Sequence, residues 1–171
     1  MEQTSYPVAI KLPGGPMISD GSRVTKDFGR LNRYEVAQTG EKIAIIGLGT
    51  FFELAKEAAK LLKEEAGINA TVINPYYITG LDEALLTKLK QNHDTVITLE
   101  DGILDGGFGE KIARFYGASN MKVMNYGLKK EFLDRYDVDA VLKENHLTAE
   151  QIVEDVLSCL LYTSPSPRDV E

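Results

Sequence analysis

Between Ile43 and Tyr126 the chain alternates short β-branched runs with amphipathic helical stretches, and this alternation restricts the fold more than any other feature. The clearest unit is residues 43–56, IAIIGLGTFFELAK. It reads as a buried strand, a glycine turn and the start of a helix over Phe52–Ala66. Leu54, Ala58, Leu61 and Leu62 form one apolar face, with Lys56, Glu57, Lys60 and Lys63 mostly outside it. Gly67 is placed to stop that helix. Ala70–Asn74 is the next strand, ended by Pro75. Asp82 is placed to cap a helix with a Leu85, Leu86 and Leu89 stripe. Thr95–Leu99 is a strand, Glu110–Tyr116 a helix, and Lys122–Tyr126 a strand. The rest is helical, with Thr148 and Gln151 spaced as a capping box. Strands separated by helices give an α/β layer fold around a mostly parallel sheet. Arg33–Gln38 and Lys42–Leu48 flank the short loop Thr39-Gly40-Glu41, which predicts a hairpin and hence one antiparallel pair.

At 171 residues the chain suffices for one domain with a real core. A net charge of −7 without a basic cluster weighs against a nucleic-acid or anionic-membrane surface. No apolar run approaches the ~20 residues that span a bilayer, and the first residues lack the basic and apolar regions of a secretory signal. These features read as a cytoplasmic protein. The single cysteine, Cys159, excludes an internal disulfide and a cysteine-built zinc site. Neither His93 nor His146 is near it in sequence to make it a nucleophile, and both histidines read as surface or helix-end residues.

Four segments are expected. Residues 1–12 contain a strand-like stretch, Tyr6–Leu12. Residues 13–32 are rich in glycine and proline without a sustained period, and read as a linker. Residues 33–158 form the body, ending in a helix from Ala149 to Ser158. Residues 159–171 read as a disordered tail, because two Ser-Pro steps forbid a continued helix. The string from Cys159 to Asp169 also resembles the one-frame translation of a transposase adapter used in sequencing libraries.

The turn after the first long strand invites a nucleotide. A dinucleotide fingerprint needs three glycines, as G-x-G-x-x-G or A, and an acid about twenty residues on. Gly47 and Gly49 are present, but Phe52 holds the third place. The second strand ends at Asn74-Pro75, with no acid for a ribose. No Walker lysine follows. The glycines therefore read as a tight joint, although Thr50 sits where a helix start could meet an anion. The loop Glu100–Gly109 holds Glu100, Asp101 and Asp105 among four glycines. Its spacing misses the calcium-loop pattern, and Leu104 fills a would-be ligand position. It reads as a loop that positions a helix N-terminus, where acids are favourable. Lys129, Lys130 and Arg135 read as a solvated face. From the residues alone, the chain is a soluble α/β domain without a self-contained active site.

Taken in order, several motifs carry a resemblance: KLPGG at 11–15, IIGLGT at 45–50, VINP at 72–75 with LDE at 81–83, TLEDG at 98–102 with GGFG at 106–109, and GLKKEFL at 127–133. From about Tyr6 to Leu157 the chain resembles the C-terminal domain of the 1-deoxy-D-xylulose-5-phosphate synthases, thiamine-diphosphate enzymes of the transketolase family. The resemblance implies a three-layer domain with a mixed, mostly parallel five-stranded sheet, preceded by a stray strand and a long loop. That stray strand would be the last of a preceding pyrimidine-binding domain. The family joins pyruvate to glyceraldehyde 3-phosphate with loss of carbon dioxide, using thiamine diphosphate and magnesium. Its Gly-Asp-Gly motif does not occur in this chain, so neither cofactor nor metal is expected on it. Nor is a catalytic residue expected, because the glutamate that activates the aminopyrimidine would precede Met1. The implied partners are the missing N-terminal and pyrimidine-binding domains, in a homodimeric parent. Lys11 occupies the place of a family arginine that helps bind the sugar phosphate, and Gly80 stands where many relatives have proline. Two other readings remain: a subunit of a split transketolase-like enzyme, and a small anion-binding regulatory domain.

Overall fold

The computed structural model describes Gly29 and residues 31–161. Its elements are β1 (Glu35–Gln38), β2 (Lys42–Gly47), α1 (Phe51–Ala66), β3 (Thr71–Asn74), α2 (Glu83–Leu89), β4 (His93–Ile103), α3 (Phe108–Tyr116), β5 (Lys122–Leu128), α4 (Val138–Glu144) and α5 (Ala149–Leu161). The strands form one five-stranded sheet in the order β1-β3-β2-β4-β5. β1 is antiparallel to β3, and the other three pairings are parallel. The mixed, mostly parallel sheet between helical layers is therefore present.

The expected hairpin is not. β1 pairs with β3, and β3 lies between β1 and β2. Instead of folding back, the Thr39–Glu41 connection crosses beneath the start of β3. Gly40 N–H donates to Thr71 Oγ1 at 2.9 Å, Glu41 N–H donates to Asn69 O at 2.9 Å, and Gln38 Nε2 donates to Ala70 O at 2.8 Å. A side chain at Gly40 has no room, because a Cβ there would lie 1.9 Å from Asn69 O.

Alternation along the strands divides the core in two. Ile43, Ile45, Val72, Ile97 and Leu99 meet α1 and α5 through Ala55, Ala58, Ala59, Leu62, Ile152 and Val156. Ala44, Ile46, Ile73 and Val96 face the opposite way, toward Leu86, Leu89, Phe108, Ile112 and Tyr116 of α2 and α3. Each large aliphatic side chain removed from water this way contributes about 1.5–3 kcal/mol. Three alanines on the buried face of α1 let that helix lie close to the sheet. Gly67, at φ +68°, ends it as expected, and the Gly67 and Ile68 N–H groups return to Lys63 O and Leu62 O.

Asp82 does more than cap α2. Besides accepting from Leu85 N–H, its buried carboxylate accepts from Tyr34 N–H and Arg33 Nη1, each at 3.1 Å. Thr148 Oγ1 accepts from Gln151 N–H at 3.3 Å, but Gln151 Nε2 reaches back to Lys143 O, so only half of the predicted capping box forms. α5 continues through Cys159 to Leu161, beyond the predicted stop at Ser158, and Leu160 packs on the core. The strand-like stretch Tyr6–Leu12, Lys11 and residues 162–171 lie outside the described residues.

Candidate functional site

In a parallel sheet of this kind ligands gather at the carboxyl ends of the strands. Here that edge is built by the turn after β2, the loop after β4 and the stretch after β5. The first of these is closed to a phosphate. A Cβ on Gly47 would meet Phe51 O at 2.6 Å and Phe52 Cα at 2.7 Å, so this glycine lets α1 start hard against the strand end. Gly49 takes φ +60°, which completes the joint. The N–H groups of Phe51, Phe52 and Glu53 donate to Leu48, Gly49 and Thr50 carbonyls at 3.1, 3.2 and 3.4 Å. Thr50 makes no side-chain cap. With these first-turn donors already satisfied, the helix start has little to offer an anion.

Of the three acids in the loop, Asp101 and Asp105 are exposed and only Glu100 is internal. Glu100 is 4% exposed and turned toward the N-terminus of α3. Its Oε2 accepts from Phe108 N–H at 2.8 Å, and its Oε1 from Gly109 N–H at 3.0 Å. The carboxylate thus caps two helix donors and meets the positive end of the helix dipole. The glycines permit this approach. A Cβ on Gly107 would lie 2.6 Å from Glu100 Oε1, and one on Gly109 would lie 2.6 Å from Thr98 Oγ1. Among the described residues no three His, Cys, Asp or Glu side chains gather as metal ligands.

What the edge does present is an apolar pocket of about 310 Å³. Phe51, Leu128, Leu133, Tyr136, Val138 and Leu142 line it, with Asp101 as its carboxylate. A diphosphate would be repelled by that carboxylate and would find no cation and a single side-chain donor, the Tyr136 hydroxyl, among those lining residues. The pocket was not visible in the sequence. Its walls come from α1, β5, α4 and the aperiodic stretch between β5 and α4.

The histidines are structural. His93 Nδ1 donates to Leu89 O at 3.1 Å, which leaves Nε2, 2.8 Å from Thr71 Oγ1, as acceptor of the threonine hydroxyl. The chain Gly40 N–H to Thr71 to His93 ties β3, β4 and α2 together at the amino edge of the sheet. Burial holds the His93 pKa below its ordinary value of 6.5, against the opposing pull of the Leu89 carbonyl, Asp94 and Glu41. The unfolded chain therefore binds the proton more readily. This contribution to stability is complete above about pH 6.5 and is lost as pH falls toward the folded pKa. Urea melts are expected to show stability falling below that pH, and a shallower fall in His93→Asn. Equal slopes would contradict this account. His146 Nδ1 lies 3.0 Å from Asp155 Oδ2, which also accepts from the Tyr126 hydroxyl at 3.3 Å. Burial, then the Asp155 carboxylate, pushes the Tyr126 pKa well above its ordinary value, so the phenol stays a donor. Lys129, Lys130 and Arg135 are exposed, as expected.

The family model described as "Transketolase, C-terminal domain" matches residues 32–152. The chain belongs to that family. As a transketolase C-terminal domain it is 34% identical over 157 residues to a 1-deoxy-D-xylulose-5-phosphate synthase of Symbiobacterium thermophilum, covering 91% of this chain and 24% of that protein. It is 31% identical over 159 residues to the synthase of Lysinibacillus sphaericus, with 90% and 24% covered. The chain thus spans about a quarter of the length of these curated relatives. Among solved structures, this transketolase C-terminal domain is similar to a split-gene transketolase in an inactive beta4 tetramer. The TM-score is 0.69 and the identity 28%, over 77% of this chain and 43% of that one. The transketolase of Campylobacter jejuni shares the fold, with a TM-score of 0.54 and 18% identity over 74% and 18% of the two chains.

Proposed function

We propose that this transketolase C-terminal domain serves as the assembly domain of a synthase that joins pyruvate to glyceraldehyde 3-phosphate, and that it has no catalytic centre of its own. The observation that carries this reading is the carboxyl edge of the sheet. Where an α/β enzyme would hold its ligand, the helix donors are satisfied, the buried acid is a cap, and the open pocket is apolar. The described residues do not fit thiamine diphosphate, whose diphosphate needs a donor cradle or a metal held by carboxylates. That cofactor and its magnesium belong, on this reading, to the other domains of the longer protein. The similarity to two synthases along nine-tenths of the chain supports the choice of reaction.

Purified chain is expected to show no carboligation of pyruvate with glyceraldehyde 3-phosphate, and no heat on titration with thiamine diphosphate and magnesium. Turnover by the pure protein would overturn the proposal. Lys11, proposed as a point-charge contact for the sugar phosphate, is weaker in this role than a forked arginine. Equal affinity of the parent chain and Lys11→Ala for glyceraldehyde 3-phosphate would remove it. A second reading, a subunit of a split enzyme, is favoured by the likeness to the split-gene transketolase. Co-purification with a separate thiamine-binding chain would decide for it.

A further inference from the structure

The amino edge of the sheet carries another pocket, of about 240 Å³, between β1 and the end of α2. α2 is only seven residues long, and Val36, which pairs with Ile73 and shares its face of the sheet, is left 39% exposed beside it. Val36, Leu85 and Leu89 form the apolar wall of the pocket, and the exposed residues Lys88, Gln91 and Asn92 form its polar rim. The described chain reaches and leaves the sheet elsewhere. Arg33 and Tyr34 meet Asp82 at the other end of α2, and α5 packs on the opposite face.

The polar groups here fall into two sets. Thr71 and His93 are paired with each other and with Gly40 N–H and Leu89 O. The Thr87, Lys88 and Leu89 carbonyls at the end of α2 already accept from Lys90, Gln91 and Asn92 N–H. The Lys88 ammonium and the Gln91 and Asn92 side-chain amides, by contrast, have no partner among the described residues. No carboxylate lines the pocket, since Glu41 and Asp94, the acids near His93, are not among its walls. In a chain of net charge −7, this hollow offers a cation without an acid, whereas the pocket after β5 holds Asp101.

That set of groups selects the charge and size of an occupant. A phosphate or diphosphate is held by several cations, an open helix start or an arginine fork, and none of these lines the pocket. A single carboxylate is matched by one ammonium and neighbouring amide donors. Drug-sized ligands take about 300–1,000 Å³, so the body that covers Val36, Leu85 and Leu89 is small, a branched aliphatic chain or one ring.

We propose that this pocket binds a small monocarboxylate with a compact apolar body. Lys88 and the Gln91 and Asn92 amides hold the carboxylate, and Val36, Leu85 and Leu89 hold the body. The site does not depend on the assembly reading above.

Calorimetric titration of the full chain with benzoate tests the proposal. Saturable binding is expected, with a dissociation constant of roughly 0.1–1 mM. Lys88→Gln should weaken it about tenfold, and Val36→Asp, which sets an acid against the ligand body, by at least about tenfold. Both positions are exposed, so both variants should keep a melting temperature close to that of the parent chain. Benzamide, the same ring without the charge, should bind at least about tenfold more weakly than benzoate. Heat that does not saturate well above the expected range would overturn the proposal. So would an affinity unchanged in both variants, which would place the acid elsewhere, or benzamide binding as tightly as benzoate.

Discussion

Glu100→Ala is expected to lower the unfolding free energy by about 3–5 kcal/mol, because it strips a buried acceptor from two donors at once. The Phe108 and Gly109 N–H groups sit at 2.8 and 3.0 Å from the carboxylate, in a place closed to water. Neither can turn to another partner, because α3 is fixed by Phe108 and Ile112 in the core. Glu100→Gln tests the charge separately. Its amide keeps one carbonyl oxygen but points donors at the second N–H and loses the attraction of the helix dipole, so about 2 kcal/mol is expected. Urea midpoints measured with unchanged slopes would give both numbers. A Glu100→Ala loss below 1 kcal/mol would show that the carboxylate is not the cap described here.

Gly40→Ala is expected to cost about 3 kcal/mol, by a different mechanism. The added methyl would sit 1.9 Å from Asn69 O and 2.6 Å from Ala70 C, both backbone atoms. No rotamer change relieves a clash with the main chain, so the crossing beneath β3 must open and give up its bonds to Thr71 and Asn69. Gly49→Ala supplies the contrast. Nothing lies within 4 Å of a Cβ at Gly49, and only its φ of +60° opposes the change. That substitution should cost only about 1–2 kcal/mol. Equal losses at the two positions would mean that steric crowding at Gly40 is not what makes it glycine.

The same glycine shows where reading the sequence stops. Elements held by their own neighbours were legible: the face of α1, its end at Gly67, the Asp82 cap and the run Ile43–Ile46. The hairpin was misread because a three-residue glycine connection looks the same whether it folds back or crosses a strand. The decision rests on Asn69 and Thr71, some thirty positions away. Glu100 was read as one acid near a helix start. Its role as a buried double cap depends on how closely Gly107 and Gly109 let the helix approach, and that spacing is tertiary. The pocket beside Leu133 had no signal of its own, since Phe51 and Asp101 close it from far along the chain against the stretch from Leu128 to Leu142.

Asp82 has a consequence for how such a unit can be rearranged between genes. Its carboxylate holds Arg33 and the Tyr34 backbone against the start of α2, and Asn32 accepts from the Thr79 hydroxyl at 2.9 Å nearby. The start of the unit is therefore stitched from inside it. A coding sequence cut upstream of Asn32 would carry the whole clamp with it, and the piece could be moved or fused elsewhere with its first strand already in register.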